Sequence, residues 1–237
     1  MHAQRAILIA GVALALVYVW LKGGFIAGGT HQAAPVAAAA TSERLPDGRA
    51  RAIFASGCFW STEAAFDQVQ GVVKTTAGYT GGRERNPRYS DVSRGRTGHA
   101  EAVEVIYDPD VVSYDALLET YWLNVDPFAS HRQFCDVGPQ YRPEIFVIGD
   151  AQRAAAAASK ARVQQRFAGK PVLVAISDAG MFYPAEEYHQ GYHQRYATQY
   201  GFYRAGCGRD ARLAAIWGTE RSVQTAHVSN PHSADLR

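Results

Sequence analysis

Cys58 lies in Gly57-Cys58-Phe59-Trp60, where an apolar strand at 51–56 runs into a helix predicted at 59–69. A thiol at that junction sits beside free backbone N–H groups and the positive end of the helix, which favours the thiolate. Gly57 lets the chain turn without a Cβ clash, and Phe59 and Trp60 give the sulfur an apolar wall. An inert buried cysteine is the competing reading of the same residue. A second group, Gly98-His99-Ala100-Glu101, leads a loop into a strand at 100–107. If that strand shares a sheet with 51–56, Glu101 comes close to Cys58. A carboxyl partly desolvated among aromatic rings keeps its proton near neutral pH and can act as a general acid. His99 offers a base instead, so a Cys58–His99 dyad of a thiol hydrolase or acyltransferase is also open.

A third group occupies the long loop from Phe134 through Cys135, Asp136, Gly138, Pro139 and Tyr141 to Arg142, and long loops inside compact domains are commonly functional. Asp136 and Tyr141 could order hydrogen bonds there, as could Tyr89 in Asn86-Pro87-Arg88-Tyr89. His189 and His193, four apart on a helix predicted near 185–199, have a spacing that metals use, but the HExxH order and a third ligand are missing. A solvated or capping face is the better reading. Gly78-Tyr79-Thr80-Gly81-Gly82 lacks the Gly-Lys-Ser/Thr of a phosphate loop and reads as a tight turn.

The elements that must hold these groups alternate in period. Strands are predicted at 51–56, 72–78, 100–107, 144–148 and 172–177, with helices at 59–69, from Ser113 to about Asn124, and from an Asp150 cap to about Phe167. The helix after Ser113 has Leu117, Leu118, Tyr121 and Trp122 at core spacing. The order β-α-β-β-α-β, followed by α-β and a last helix, predicts an α+β sandwich on a ferredoxin-like, split βαβ core.

Composition bounds the rest. With 237 residues, 47% of them hydrophobic, the chain is long enough for one well-filled domain with extensions. Three cysteines are too few for a disulfide-stapled scaffold, and their odd number leaves one thiol outside any intramolecular pair. Residues 1–40 hold Arg5 and Lys22 and no acid, so the remainder of the 24 basic groups is matched by all 22 acidic ones. A neutral body argues against nucleic acid as a partner.

The uncharged run 6–21 reads as a membrane anchor or a cleaved export signal. Sixteen helical residues reach about 24 Å, and a snorkelling Lys22 extends the span through Phe25 and Ile26. The small residues Ala38-Ala39-Ala40 suit a peptidase. Residues 1–22 are therefore taken as anchor or signal, 23–48 as a flexible linker, 49–220 as the catalytic domain and 221–237 as a polar tail. The positive N-terminus predicts an exported, extracytoplasmic body.

Taken together, GCFWSTEAAF (57–66), GVVKTTAGYTGG (71–82), NPRYSDV (86–92), TGHAEAVEVIYDP (97–109), FCDVGPQYRPEIF (134–146) and FYPAEEYHQ (182–190) resemble the A-type peptide methionine sulfoxide reductases, which reduce the S epimer of methionine sulfoxide. The resemblance spans about residues 50–217. It implies that Cys58 is the nucleophile and Glu101 the acid that protonates the sulfoxide oxygen. It also implies that Tyr89 and Tyr141 bond that oxygen, that Asp136 supports the network, and that Phe59 and Trp60 hold the S-methyl group. Glu63 matches a position near the site. A sulfenic acid on Cys58 would be resolved by Cys207, whose flanking Gly206 and Gly208 predict a mobile segment. Cys135 is the rival resolving thiol. No metal or organic cofactor is implied. The partners implied are oxidised proteins and a thioredoxin-like reductant, and a monomer is expected. Ser61 stands where Gly is common, and Pro139 interrupts the third motif.

Overall fold

A computed structural model of the chain describes residues 44–218. The apolar run at 6–21, the linker up to residue 43 and the polar tail lie outside the described residues. Among the described residues, no helix is long and apolar enough to cross a membrane.

Four strands make the centre: β1 (Ala50–Ser56), β2 (Val72–Thr80), β3 (Ala100–Tyr107) and β6 (Pro143–Val147). They lie in the order β6-β1-β3-β2, all antiparallel. With helix α1 (Phe59–Phe66) after β1 and α3 (Tyr114–Trp122) after β3, this is the split βαβ plan expected from the element order. Helix α4 (Gly149–Arg166) then crosses to β7 (Ala175–Asp178), which pairs in parallel with β6. Strand β8 (Tyr183–Pro184) closes the opposite edge against β2.

Alternation along the strands separates two faces. Phe54, Val103, Val105, Ile145 and Val147 turn to the helices and pack with Phe66, Leu117, Leu118, Tyr121 and Trp122. Burying each large side chain of this kind contributes roughly 1.5–3 kcal/mol. Ile53, Ala55, Ala100, Ala102 and Phe146 form a smaller cluster on the other face. Ser113 caps α3 as predicted, its Oγ accepting the Ala116 N–H at 3.2 Å. Asp150 does not cap α4. That helix begins one residue earlier, and Gln152 Oε1 accepts the N–H of the capping residue Ile148.

The largest departure from expectation lies after β8. The helix predicted over 185–199 is broken by Gly191, in the left-handed region at φ 58°. His189 ends a 3-10 turn (Glu187–His189), and His193 lies on a separate short helix, α5 (Tyr192–Arg195). The metal-like i, i+4 spacing therefore does not exist on one helix. Two more helices follow, α6 (Ala197–Gly206) and α7 (Arg209–Trp217). Cys207 and Gly208 form the joint between them, with Gly208 left-handed at φ 62°. This segment forms a two-residue corner, because Gly208 permits a turn that lets α7 start at once.

Candidate active site

Cys58 ends up where the sequence placed it, at the start of α1, with 5% of its surface exposed. Gly57 makes the turn at φ 91°, and a Cβ there would come within 2.5 Å of Gln133 Cβ. The first two N–H groups of α1 are both engaged. Phe59 N–H donates to Glu101 Oε2 at 3.1 Å, and Trp60 N–H bonds the Cys58 sulfur. The expected thiolate is not the resting form. Burial pushes the Cys58 thiol up, and Glu101 and Asp136 add to the rise more than Tyr203 and the Trp60 N–H offset. Desolvation outweighs the helix end here.

Glu101 reaches Cys58 through the sheet. β3 lies beside β1, and residue 101 pairs with Tyr79 on the other side. The carboxyl is 2% exposed, and burial raises its pKa to about 8, despite the Phe59 N–H. Near neutral pH it is mostly protonated, with one oxygen accepting from Phe59 and the other left to carry the proton.

Tyr89 and Tyr141 approach from two loops. Tyr89 opens a short helix, α2 (Tyr89–Val92), its N–H donating to Glu186 Oε1 at 2.9 Å and its ring lying 4.3 Å from that of His189. Tyr141 ends a 3-10 turn that Pro139 begins, so the proline that interrupts the motif serves to start this turn. Both phenols feel Glu101, Asp136 and Cys58, which together with burial raise their pKa values, that of Tyr89 to about 12. Phe59 is buried against Tyr79 and His189. Trp60 stacks on Tyr192 at 3.8 Å, and its Nε1 donates to His189 Nδ1.

Glu63 does not face the sulfur. Its Oε2 accepts the Gly191 N–H at 3.0 Å and lies 3.8 Å from His193, so it ties the 187–195 turns to α1. His99 lies against Gly82 and the β8 edge, with no hydrogen bond to Cys58. Its ring packs edge-on against Tyr183, and burial with nearby Arg142 lowers its pKa. The base of a Cys58–His99 dyad is thus missing from the sulfur.

Asp136 lies on a hairpin of two short strands, β4 (Arg132–Gln133) and β5 (Asp136–Val137). Its Oδ2 accepts the Tyr203 hydroxyl at 2.6 Å, and that hydroxyl lies beside the Cys58 thiol. Tyr203, on α6, was not read from the sequence, nor was the buried Arg209 that opens α7. Both belong to a stretch whose glycines hid its helices. Cys135, at the hairpin tip, is joined to Cys207 by a disulfide with Cα atoms 4.9 Å apart, and Cys58 is free. The Cys58–Cys207 bond expected from the resemblance is not the one present.

The matching family model is that of peptide methionine sulfoxide reductases, and it covers residues 50–221. The chain belongs to that family. A peptide methionine sulfoxide reductase of Bacillus licheniformis is 44% identical over 76% of this chain and the whole of its own length. A second, from Caulobacter vibrioides, is 48% identical over 70% of this chain and 85% of that protein. Among solved structures, the reduced form of Mxr1 from Saccharomyces cerevisiae is 31% identical, with a TM-score of 0.61 over 64% of this chain and 88% of that one. The reductase thus carries the thiol chemistry of its family on the sheet described above, and its buried carboxyl, free thiol and disulfide with an exposed Cys135 suit that reaction.

Proposed function

We propose that the protein reduces methionine-S-sulfoxide in oxidised proteins and in the free amino acid, with Cys58 as nucleophile and Glu101 as general acid. The observation that carries this reading is the protonated, buried Glu101 held by the peptide that follows Cys58. A sulfoxide sulfur becomes electrophilic when its oxygen is protonated. Glu101 gives its proton to that oxygen, and Cys58 attacks the sulfur. Methionine leaves, the oxygen ends on Cys58 as a sulfenic acid, and Glu101 recovers the proton of the thiol. Tyr89 and Tyr141 donate to the oxygen, Asp136 holds the network through Tyr203, and Phe59 and Trp60 line the place of the S-methyl group.

Resolution follows in two exchanges. Cys207 attacks the sulfenic acid, releasing water and forming a Cys58–Cys207 disulfide. Cys135 then attacks Cys207, leaving the Cys135–Cys207 bond and a free Cys58 thiol. The exposed position of Cys135 and the burial of Cys58 support this order, because an outside dithiol can reach the former and not the latter. A thioredoxin-like protein is the proposed reductant, and no prosthetic group takes part. The apolar run at 6–21 supports an exported, membrane-tethered or secreted protein, 49–220 being its catalytic domain, which meets its reductant outside the cytoplasm.

The test is a single turnover on a methionine sulfoxide peptide without reductant. Wild type should release methionine, and Cys58→Ser should release none. Release by Cys58→Ser would refute the assignment.

A further inference from the structure

One side chain touches the neighbourhood of all three cysteines. Arg209, 2% exposed, lies two residues after Cys207. Its Nη2 donates to Ser56 O at 3.2 Å, at the end of the strand that leads into Gly57 and Cys58. The same nitrogen donates to Asn124 O at 2.7 Å, and Nη1 lies 3.8 Å from where a Cβ on Gly57 would be. The guanidinium carbon sits 4.3 Å from the ring centre of Phe134, the residue before Cys135. Phe134 itself is held at φ 53°, a conformation that bulky side chains avoid. The two-residue hairpin takes a positive φ at Phe134, and Arg209 packs over that ring.

We propose that Arg209 is a positioning residue that holds the three cysteine-bearing segments in register for disulfide exchange. This rests on the reaction read above and adds a component to it. Exchange requires sulfurs from three distant stretches of chain to meet in turn, and a disulfide tolerates only a narrow range of Cα separations. A planar guanidinium suits the task because it can stack on one segment while donating in its plane to another, which an ammonium group cannot do. The rest of α7 keeps it in place. Arg212 Nε donates to Asp126 Oδ2 at 2.7 Å, and Trp217 Nε1 donates to Val125 O. Gln133 bonds both the N–H and the carbonyl of Asp126, so the hairpin and α7 share one anchor. Arg209 Nε and Nη1 are buried without hydrogen-bond partners. Such donors are costly unless something nearby compensates. Their positive charge favours the Asp136 carboxylate and is itself favoured by an anionic Cys58.

The test separates the first chemical step from the exchange. Wild type, Arg209→Met, Arg209→Lys and Phe134→Leu are each first reduced with dithiothreitol and freed of it, then mixed with limiting methionine sulfoxide peptide without reductant. Methionine release, sulfenic acid trapped with dimedone, and the Cys135–Cys207 bond by peptide mapping are followed in time. The expected result for Arg209→Met is methionine release within a few-fold of wild type. Its disulfide formation should be at least tenfold slower, and trapped sulfenic acid should rise. Arg209→Lys should recover part of the rate, and Phe134→Leu should show a smaller delay of the same kind. A loss of stability alone would lower methionine and disulfide together and leave the ratio of trapped sulfenic acid to methionine unchanged. Should Arg209→Met fail to fold, the lysine and leucine variants decide by the same ratio. Wild-type disulfide rates in the folded variants overturn the proposal. Wild type releasing no methionine would instead overturn the reaction on which it rests.

Discussion

Glu101 accepts the backbone N–H of Phe59, so the acid is fixed to the residue that follows Cys58 and cannot drift from the sulfur without breaking a buried bond. The carboxyl stays mostly protonated because burial, not a charged neighbour, dominates its environment. The same burial favours the thiol form of Cys58 at rest.

The acid sets the first prediction. With its pKa raised to about 8, Glu101 is protonated below that value and loses its proton above it. Single-turnover methionine release should be level through neutral pH and fall as pH rises through about 8. Glu101→Gln should lower the rate by roughly 10²–10⁴-fold, the usual worth of general acid catalysis. A Glu101→Gln rate near that of wild type would show that another group supplies the proton.

His99 supplies a contrast. It packs against Tyr183 away from the sulfur, so His99→Ala should keep methionine release within a few-fold of wild type. Loss of release comparable to that of Glu101→Gln would bring back the cysteine–histidine dyad.

The order of exchange is countable. After one turnover without reductant, transfer of the disulfide to Cys135 leaves Cys58 free to reduce a second sulfoxide. Wild type should therefore release a second equivalent of methionine per chain, and Cys135→Ser should stop after the first, with a Cys58–Cys207 bond found by peptide mapping. Equal yields from both proteins would remove Cys135 from the cycle.

The turn before Cys58 has a steric prediction. Gly57→Ala forces a Cβ onto Gln133 and a methyl-bearing residue into φ 91°. The cost should be about 1–3 kcal/mol, seen as a lower denaturation midpoint, with methionine release reduced in the folded fraction. An unchanged midpoint would mean that the turn relaxes freely.

His193 predicts a pH effect on stability. Burial opposes its charge, but Asp67 and Glu63 outweigh burial and raise its pKa to about 9. A group with a raised folded pKa stabilises fully below its unfolded value, here 6.5, and loses that contribution as pH climbs toward about 9. Thermal midpoints of wild type should therefore drop across this window relative to those of His193→Gln. Parallel curves for the two proteins would count against the ion pair.

Much of this was legible because local pattern and global fold agree over 50–167. Alternating Val103, Val105 and Tyr107, the core spacing of Leu117 to Trp122 and the Ser113 cap each specify one element, and their order specifies the sheet. Glu101 could be placed near Cys58 once β1 and β3 were neighbours. The region after β8 was harder. Gly191 passes unmarked inside a predicted helix and Gly208 reads as flexibility, yet both make sharp left-handed corners. Tyr203 and Arg209 owe their roles to those corners, which carry them back to the sulfur. A one-dimensional pattern does not encode that return. Glu63 matches a position near the site without a partner, since Gly191, whose N–H it accepts, lies 128 residues away.

The most direct test of the central claim is stereochemical. A peptide containing both epimers of methionine sulfoxide is incubated with the protein and dithiothreitol, and the two are followed by chromatography. The S epimer should be converted to methionine while the R epimer persists. Persistence of both, or loss of the R epimer alone, would contradict the account.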